Sequence, residues 1–220
     1  GVRADFLVCA VKTTEEGGHG GISFLVIDTD SPGYEVVSKL EKLGWHSSDT
    51  GEIAFSDVEV PDEHLLGQEN EGFQLIMSNF AWERLLMAIG AVGAMDGLID
   101  ASLAYAQERQ AFGRAIGSFQ AIRHKIAEMA TTAAAAKTLT YDTLRRFDAG
   151  ENVIREVSMT KLMTQRALCE IADDALQIHG GYGYMKEYGI ERALRDARLG
   201  PIGGGTDEIM KEIIGKTFGL

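Results

Sequence analysis

The residues in this chain equipped for chemistry are a glutamate–arginine pair, an arginine close to a phenylalanine, and two glycine-rich stretches. The stretches are Gln177-Ile178-His179-Gly180-Gly181-Tyr182-Gly183 and Pro201-Ile202-Gly203-Gly204-Gly205-Thr206. Glycines at the end of one helix and just before another let a planar or phosphorylated ligand approach the backbone closely. In Arg109-Gln110-Ala111-Phe112-Gly113-Arg114 a guanidinium beside a helix terminus can clamp phosphate, and the phenylalanine can cover an aromatic ring. The structural alternative is a helix C-cap with Gly113 in the left-handed position. Gly-Gly-x-Gly at 180–183 exceeds what a cap requires. Neither glycine cluster matches G-x-G-x-x-G, so a Rossmann site is not indicated.

Glu83 lies in a helical pattern flanked by Phe80, Trp82, Leu85 and Leu86. Burial among such side chains would disfavour its charged form and make it an effective proton acceptor. The alternative is a solvent-facing glutamate paired with Arg84. His179, before Gly180, is either an active-site group or a carbonyl-capping wall residue. His19, in a loop over 14–21, has no second metal ligand nearby, and Cys9 and Cys169 show no metal-ligand spacing and no disulfide framework. No metal site is expected. Tyr182 and Tyr184 read as amphipathic rim residues.

Those groups need a scaffold. The 220 residues suffice for a full core. A net charge of −12 with no basic patch argues against a nucleic-acid partner. No uninterrupted apolar run of about 20 residues is present, so no membrane span is expected, and a reducing cytosol or organelle matrix fits the cysteine usage. Short apolar runs at 6–11, 22–27, 34–37 and 52–55 read as strands. From 62 to 200 there is no proline, and apolar residues recur with helical period. Phe73, Ile76, Met77 and Phe80 open a first helix that ends at a loop over 111–117. A second runs from Phe119 to about Phe147, its alanine run at 133–136 permitting close packing. Leu168, Ile171, Ala175 and Ile178 mark a third, 187–197 a short fourth, and Thr206 caps the last, with Asp207 and Glu208 opposing the positive end of its dipole. Helices with short connections suggest an antiparallel bundle. Four strands alone make a sheet with unprotected edges, so a larger β-domain is expected to lie partly outside the chain.

In combination these segments resemble the acyl-CoA dehydrogenase family. Arg-Gln-Ala-Phe-Gly at 109–113, Phe-Gln-Ala-Ile at 119–122, Gln-Ile-His-Gly-Gly-Tyr-Gly at 177–183 and Gly-Gly-Gly-Thr-Asp-Glu-Ile at 203–209 follow the family's order. Gly-Ile-Ser-Phe-Leu-Val at 21–26 and Leu-Leu-Gly-Gln-Glu-Asn-Glu-Gly-Phe at 65–73 are also similar to family segments. The resemblance implies an α+β chain: a partial antiparallel β-barrel segment over 1–66, then an all-α four-helix bundle over 67–220. The family's N-terminal domain and early barrel segment would lie outside it.

The activity implied is FAD-dependent α,β-dehydrogenation of an acyl-CoA thioester, a glutamate taking the α-proton while a β-hydride passes to flavin N5. The flavin, shared across a subunit interface, would meet Arg109, Phe112 and Gln120 at one turn, Gln177, Gly180 and Gly181 at another, and Thr206 and Glu208 at the last helix. The family's commoner base position is occupied here by Gly204. The alternative, used by isovaleryl- and long-chain-type members, immediately precedes an arginine on the first bundle helix, and here is Glu83, before Arg84. Arg84 should then lie near the catalytic cavity, with Gly204 and Gly205 at the thioester end, leaving room for a bulky or branched acyl group. Met77, Phe80 and Trp82 would line the acyl channel or pack in the core. Further implied are electron transfer to an electron-transferring flavoprotein, a homo-oligomer (tetramer or dimer), and a bacterial cytoplasm or mitochondrial matrix. An acyl-CoA oxidase or monooxygenase of the same fold, or a non-catalytic helical assembly module, are the competing readings.

Overall fold

A computed structural model describes residues 1–15 and 20–220; His19 lies outside the described residues. The chain divides into two compact units, Gly1–Phe80 and Ala81–Leu220. In the first, β1 (Phe6–Lys12) pairs antiparallel with β2 (Ile22–Asp28), and β2 pairs with the two-residue β5 (Leu65–Leu66). β3 (Tyr34–Lys39) and β4 (Gly51–Phe55) form a separate antiparallel pair. Burial alternates strictly along β1, as expected where one face of a strand is covered. The Tyr34 and Phe55 rings, opposite each other across β3 and β4, meet edge to face at 5.7 Å.

The second unit is helical. The elements are α1 (Gly72–Glu108, whose first turns belong to the first unit), α2 (Gln120–Asp148), α3 (Ile154–His179), α4 (Ile190–Ala197) and α5 (Asp207–Thr217). On α1 the buried positions Leu85, Ala88, Val92, Met95 and Ser102 recur at intervals of three, four and seven. On α2, Met129, Ala133, Ala136, Thr140 and Thr143 recur at intervals of four and three. This spacing turns one face of each helix toward its neighbours, as in a helix bundle. Ala133 and Ala136 face the core, and their small side chains let α2 approach closely. α3 packs against α2, α4 and α5 and is the central helix of the unit. A polar seam runs through this packing: Thr143 and Thr160 hydroxyls share a 2.9 Å hydrogen bond between α2 and α3.

One expectation needs correction, and the apolar character of α1 has a cause in the bundle. α1 is, by length and composition, apolar enough to cross a membrane, although no unbroken apolar run marks it. Its buried stripe carries part of that apolar load, as in the core helix of a bundle. The stretch over 111–117 is not simply a loop. β6 (Gln110–Ala111) and β7 (Arg114–Ala115) form a miniature hairpin. Gly113 is left-handed at φ 78°, but as the second residue of a two-residue turn rather than a helix cap. Phe112 takes the first position at φ 51°. Two successive positive φ angles make the tight turn that matches strand twist, and a phenylalanine there is strained where asparagine or glycine would not be.

Candidate active site and cofactor pocket

Glu83 is exposed, and the apolar burial expected for it is absent from this chain. The reason is phase. Leu85 is fully buried while Trp82 and Leu86 are 40% and 46% exposed, so the inward stripe begins at Arg84 and Leu85. At 100° per residue Glu83 falls off that stripe. Trp82 does not turn inward either: its ring stacks on Phe147 of α2 at 5.8 Å.

Arg84 is the buried member of the pair, 7% exposed, and its Nε donates to the carbonyl oxygen of Gly204 at 3.0 Å. Burial holds the guanidinium below its ordinary value, opposed by the charge of Glu83. The next carbonyl along, Gly205, accepts from Lys161 Nζ at 2.6 Å. Lys161 projects from α3 and is completely buried. Its ammonium is also pushed down, by burial first and by the Arg84 charge, against the pull of Asp207.

Gly204 and Gly205 have φ of 65° and 98°, and the turn is close to its surroundings. A Cβ on Gly204 would lie 2.6 Å from Met87 Sδ, and one on Gly205 would lie 2.9 Å from Met210 Cε. Both atoms end flexible methionine chains, so it is the backbone conformation that selects glycine here. Thr206 then caps α5, its hydroxyl accepting from the Ile209 N–H at 3.4 Å. Asp207 receives Arg166 Nε at 2.6 Å. Glu208 is exposed, and its carboxyl is held below the ordinary range by its own backbone N–H and by the Thr206 hydroxyl.

A second group gathers where α1 ends and α3 ends. Tyr105, Arg109, Ile116, Gly180, Gly181 and Tyr182 are among the residues lining a hollow of about 510 Å³. His179 forms part of its wall: it stacks on Tyr105 at 4.4 Å, and its Nδ1 donates to the Ala175 carbonyl at 2.7 Å, since a carbonyl can only accept. The Arg109 guanidinium lies 5.5 Å from the Tyr182 ring centroid. The three glycines of 180–183 divide by cause. Gly183 is required by packing, as a Cβ would come within 2.7 Å of the Leu176 carbonyl, and Gly180 by its φ of 58°. Gly181 has neither reason: a Cβ there would meet nothing within 4 Å.

The structure thus brings Arg84, Gly204 and Gly205 into one contact group, and Arg109, Gly180 and Gly181 around one hollow. Phe112 stands 96% exposed at its strained turn, and Gln120 and Gln177 are exposed at the start of α2 and in the last turn of α3. Sequence reading missed Lys161 and Tyr105. A signal for Lys161 existed: it sits at i+4 from Val157 and i−3 from Thr164, both buried, so a charged residue occupied a core position. Among the described residues, no three His, Cys, Asp or Glu side chains gather as a metal site.

The architecture is that of a helical bundle whose polar groups gather at the glycine turns between helices. The chain belongs to the acyl-CoA dehydrogenase family: the model for the acyl-CoA dehydrogenase C-terminal domain matches residues 70–219. It is 40% identical over 98% of its length to an acyl-CoA dehydrogenase of Bacillus subtilis, of which it spans 57%. It is 38% identical to the mitochondrial isovaleryl-CoA dehydrogenase of Oryza sativa, covering 98% of this chain and 53% of that protein. Among solved structures, a probable acyl-CoA dehydrogenase from Mycobacterium abscessus is 48% identical, with a TM-score of 0.96 over 99% of this chain and 57% of its own.

Proposed function

We propose that this chain supplies the helical part of an FAD-dependent acyl-CoA dehydrogenase in which Glu83 removes the α-proton of an acyl-CoA thioester. The observation that carries this reading is the bond from Arg84 to Gly204. The family resemblance offers two positions for the base, 83 and 204. The turn holding Gly204 is fastened to the turn of α1 that carries Glu83, so a carboxylate on either backbone serves one locality. Of those two positions, glycine at 204 leaves 83 as the one that carries a carboxylate.

The residues around the hollow suit FAD. A guanidinium opposes pyrophosphate charge, flat aromatic walls suit an adenine, and the bare backbone at Gly181 gives the close approach that nothing in the chain itself requires. Phe112, strained and almost fully exposed, fits the same role, because backbone strain persists where function holds it. When bound, FAD supplies the acceptor for the β-hydride and its electron pair. Glu83 takes the α-proton, and Gly204 and Gly205 leave space for the thioester end of a bulky or branched acyl group. The exposed Glu83 gains its apolar cover from the bound acyl chain and from the rest of the full-length protein. An electron-transferring flavoprotein is the proposed electron acceptor. A homo-oligomer, as the family resemblance implies, is the proposed assembly.

The test is Glu83→Gln in the full-length protein, mixed with a panel of acyl-CoA thioesters. Flavin bleaching is expected to disappear while FAD remains bound. Bleaching at the unaltered rate would remove Glu83 from the mechanism, and a parent protein that no acyl-CoA reduces would remove the dehydrogenase reading itself.

A further inference from the structure

Lys161 is a completely buried lysine that the proposed proton and hydride transfers do not use. Placing an ammonium at a core position of α3 is costly, and an aliphatic residue would pack there without that penalty. Its one direct partner in the described structure is the Gly205 carbonyl at 2.6 Å, next to the carbonyl that Arg84 holds at 3.0 Å. Two cations, from α1 and from α3, thus grip consecutive carbonyls of one glycine turn. That turn has no side chains of its own with which to anchor itself.

We propose that Lys161 is a positioning residue: its ammonium, acting with the Arg84 guanidinium, fixes the 203–205 turn against the segment of α1 that carries Glu83. The proposal rests on the dehydrogenase reading for its kinetic consequence, but not for the clamp. A carbonyl gripped by a charge-assisted hydrogen bond cannot rotate, so both peptide planes of the turn are set by groups outside it. Arg84 alone would leave the second peptide free to flip, since glycine has little torsional preference. Displacing the turn by about 1 Å would misalign a thioester against Glu83 and cost roughly a hundredfold in rate.

The experiment uses the full-length flavin-loaded protein bearing Lys161→Met, a side chain of similar length without charge. Flavin reduction by acyl-CoA is expected to slow by roughly ten- to hundredfold, in kcat rather than KM. The unfolding midpoint should not fall, because the substitution removes a desolvated charge. Hydrogen exchange of the amides at 203–206 should accelerate. Lys161→Gln, with a donor on a shorter arm, should give an intermediate rate and serves if the methionine variant does not fold. Thr160→Val, at a neighbouring buried position on α3 that pairs with Thr143 instead of the turn, should leave the rate unchanged.

Wild-type rate in both Lys161 variants overturns the proposal, as does a rate loss matched by an equal loss in Thr160→Val. Should the parent protein prove inert to every acyl-CoA, the dehydrogenase reading fails and the exchange measurement decides the clamp alone. Unaltered exchange at 203–206 would then refute it.

Discussion

Arg84 and Gly204 lie 120 residues apart and are joined by a 3.0 Å hydrogen bond from guanidinium to carbonyl. The bond converts two separate sequence features, a Glu-Arg pair and a glycine run, into one site. The backbone at 204 is left-handed, with φ 65°. Gly204→Ala should therefore destabilise the protein by about 1–2 kcal/mol, the cost of a side chain in that region. The Met87 sulfur 2.6 Å from the added methyl belongs to a flexible chain and should swing aside. Chemical denaturation of Gly204→Ala with and without Met87→Ala checks this, with most of the loss expected to persist in the double variant.

Phe112 should separate binding from folding. It is 96% exposed and sits at a φ of 51°. Phe112→Gly relieves about 1–2 kcal/mol of backbone strain against about 0.5–1 kcal/mol of added unfolded-state freedom. The unfolding midpoint of the flavin-free protein should hold or rise. Retention of FAD through gel filtration should fall, and unchanged retention would exclude Phe112 from the cofactor site.

Met95 offers the opposite case. It is fully buried in the core shared by α1, α2 and α3. Met95→Ala removes side-chain volume where neighbouring helices cannot close up, and a loss of about 2–5 kcal/mol is expected. A urea titration measures it, and a loss within experimental error would show that the stripe on α1 is wrongly assigned.

Acid should loosen the start of α5. The Glu208 carboxyl lies below the ordinary range in the folded protein, held first by its own N–H and then by Thr206. A depressed folded pKa contributes stability that is complete above the unfolded carboxylate value and is lost as pH falls through the folded one. Comparing Glu208→Gln with the unaltered protein, the stability difference should vanish below that window and reappear above it. Amide exchange of α5 across the acid range reads the effect, and a difference independent of pH would exclude Glu208 as its source.

The helices were legible because their causes are local. The prolines fall only at 32, 61 and 201, buried residues recur with helical period, and Thr206 caps α5 as its type and position required. Gly180 likewise announced a turn, and its φ of 58° is what only glycine adopts readily. The hairpin at 110–115 was harder to see, since a phenylalanine stands where asparagine or glycine would have marked the turn.

What the sequence determined by itself, then, was the set of helices, the strands β1 to β4, the glycine turns and the family they resemble, because propensity and periodicity act over a few residues. Tertiary structure decided that Arg84, not Glu83, faces inward, that Lys161 reaches Gly205, and that Tyr105 and His179 stack beside Arg109. Those outcomes depend on the angular phase of whole helices and on which carbonyls come within reach of a cation. Such distances are set only when helices far apart in the chain pack together.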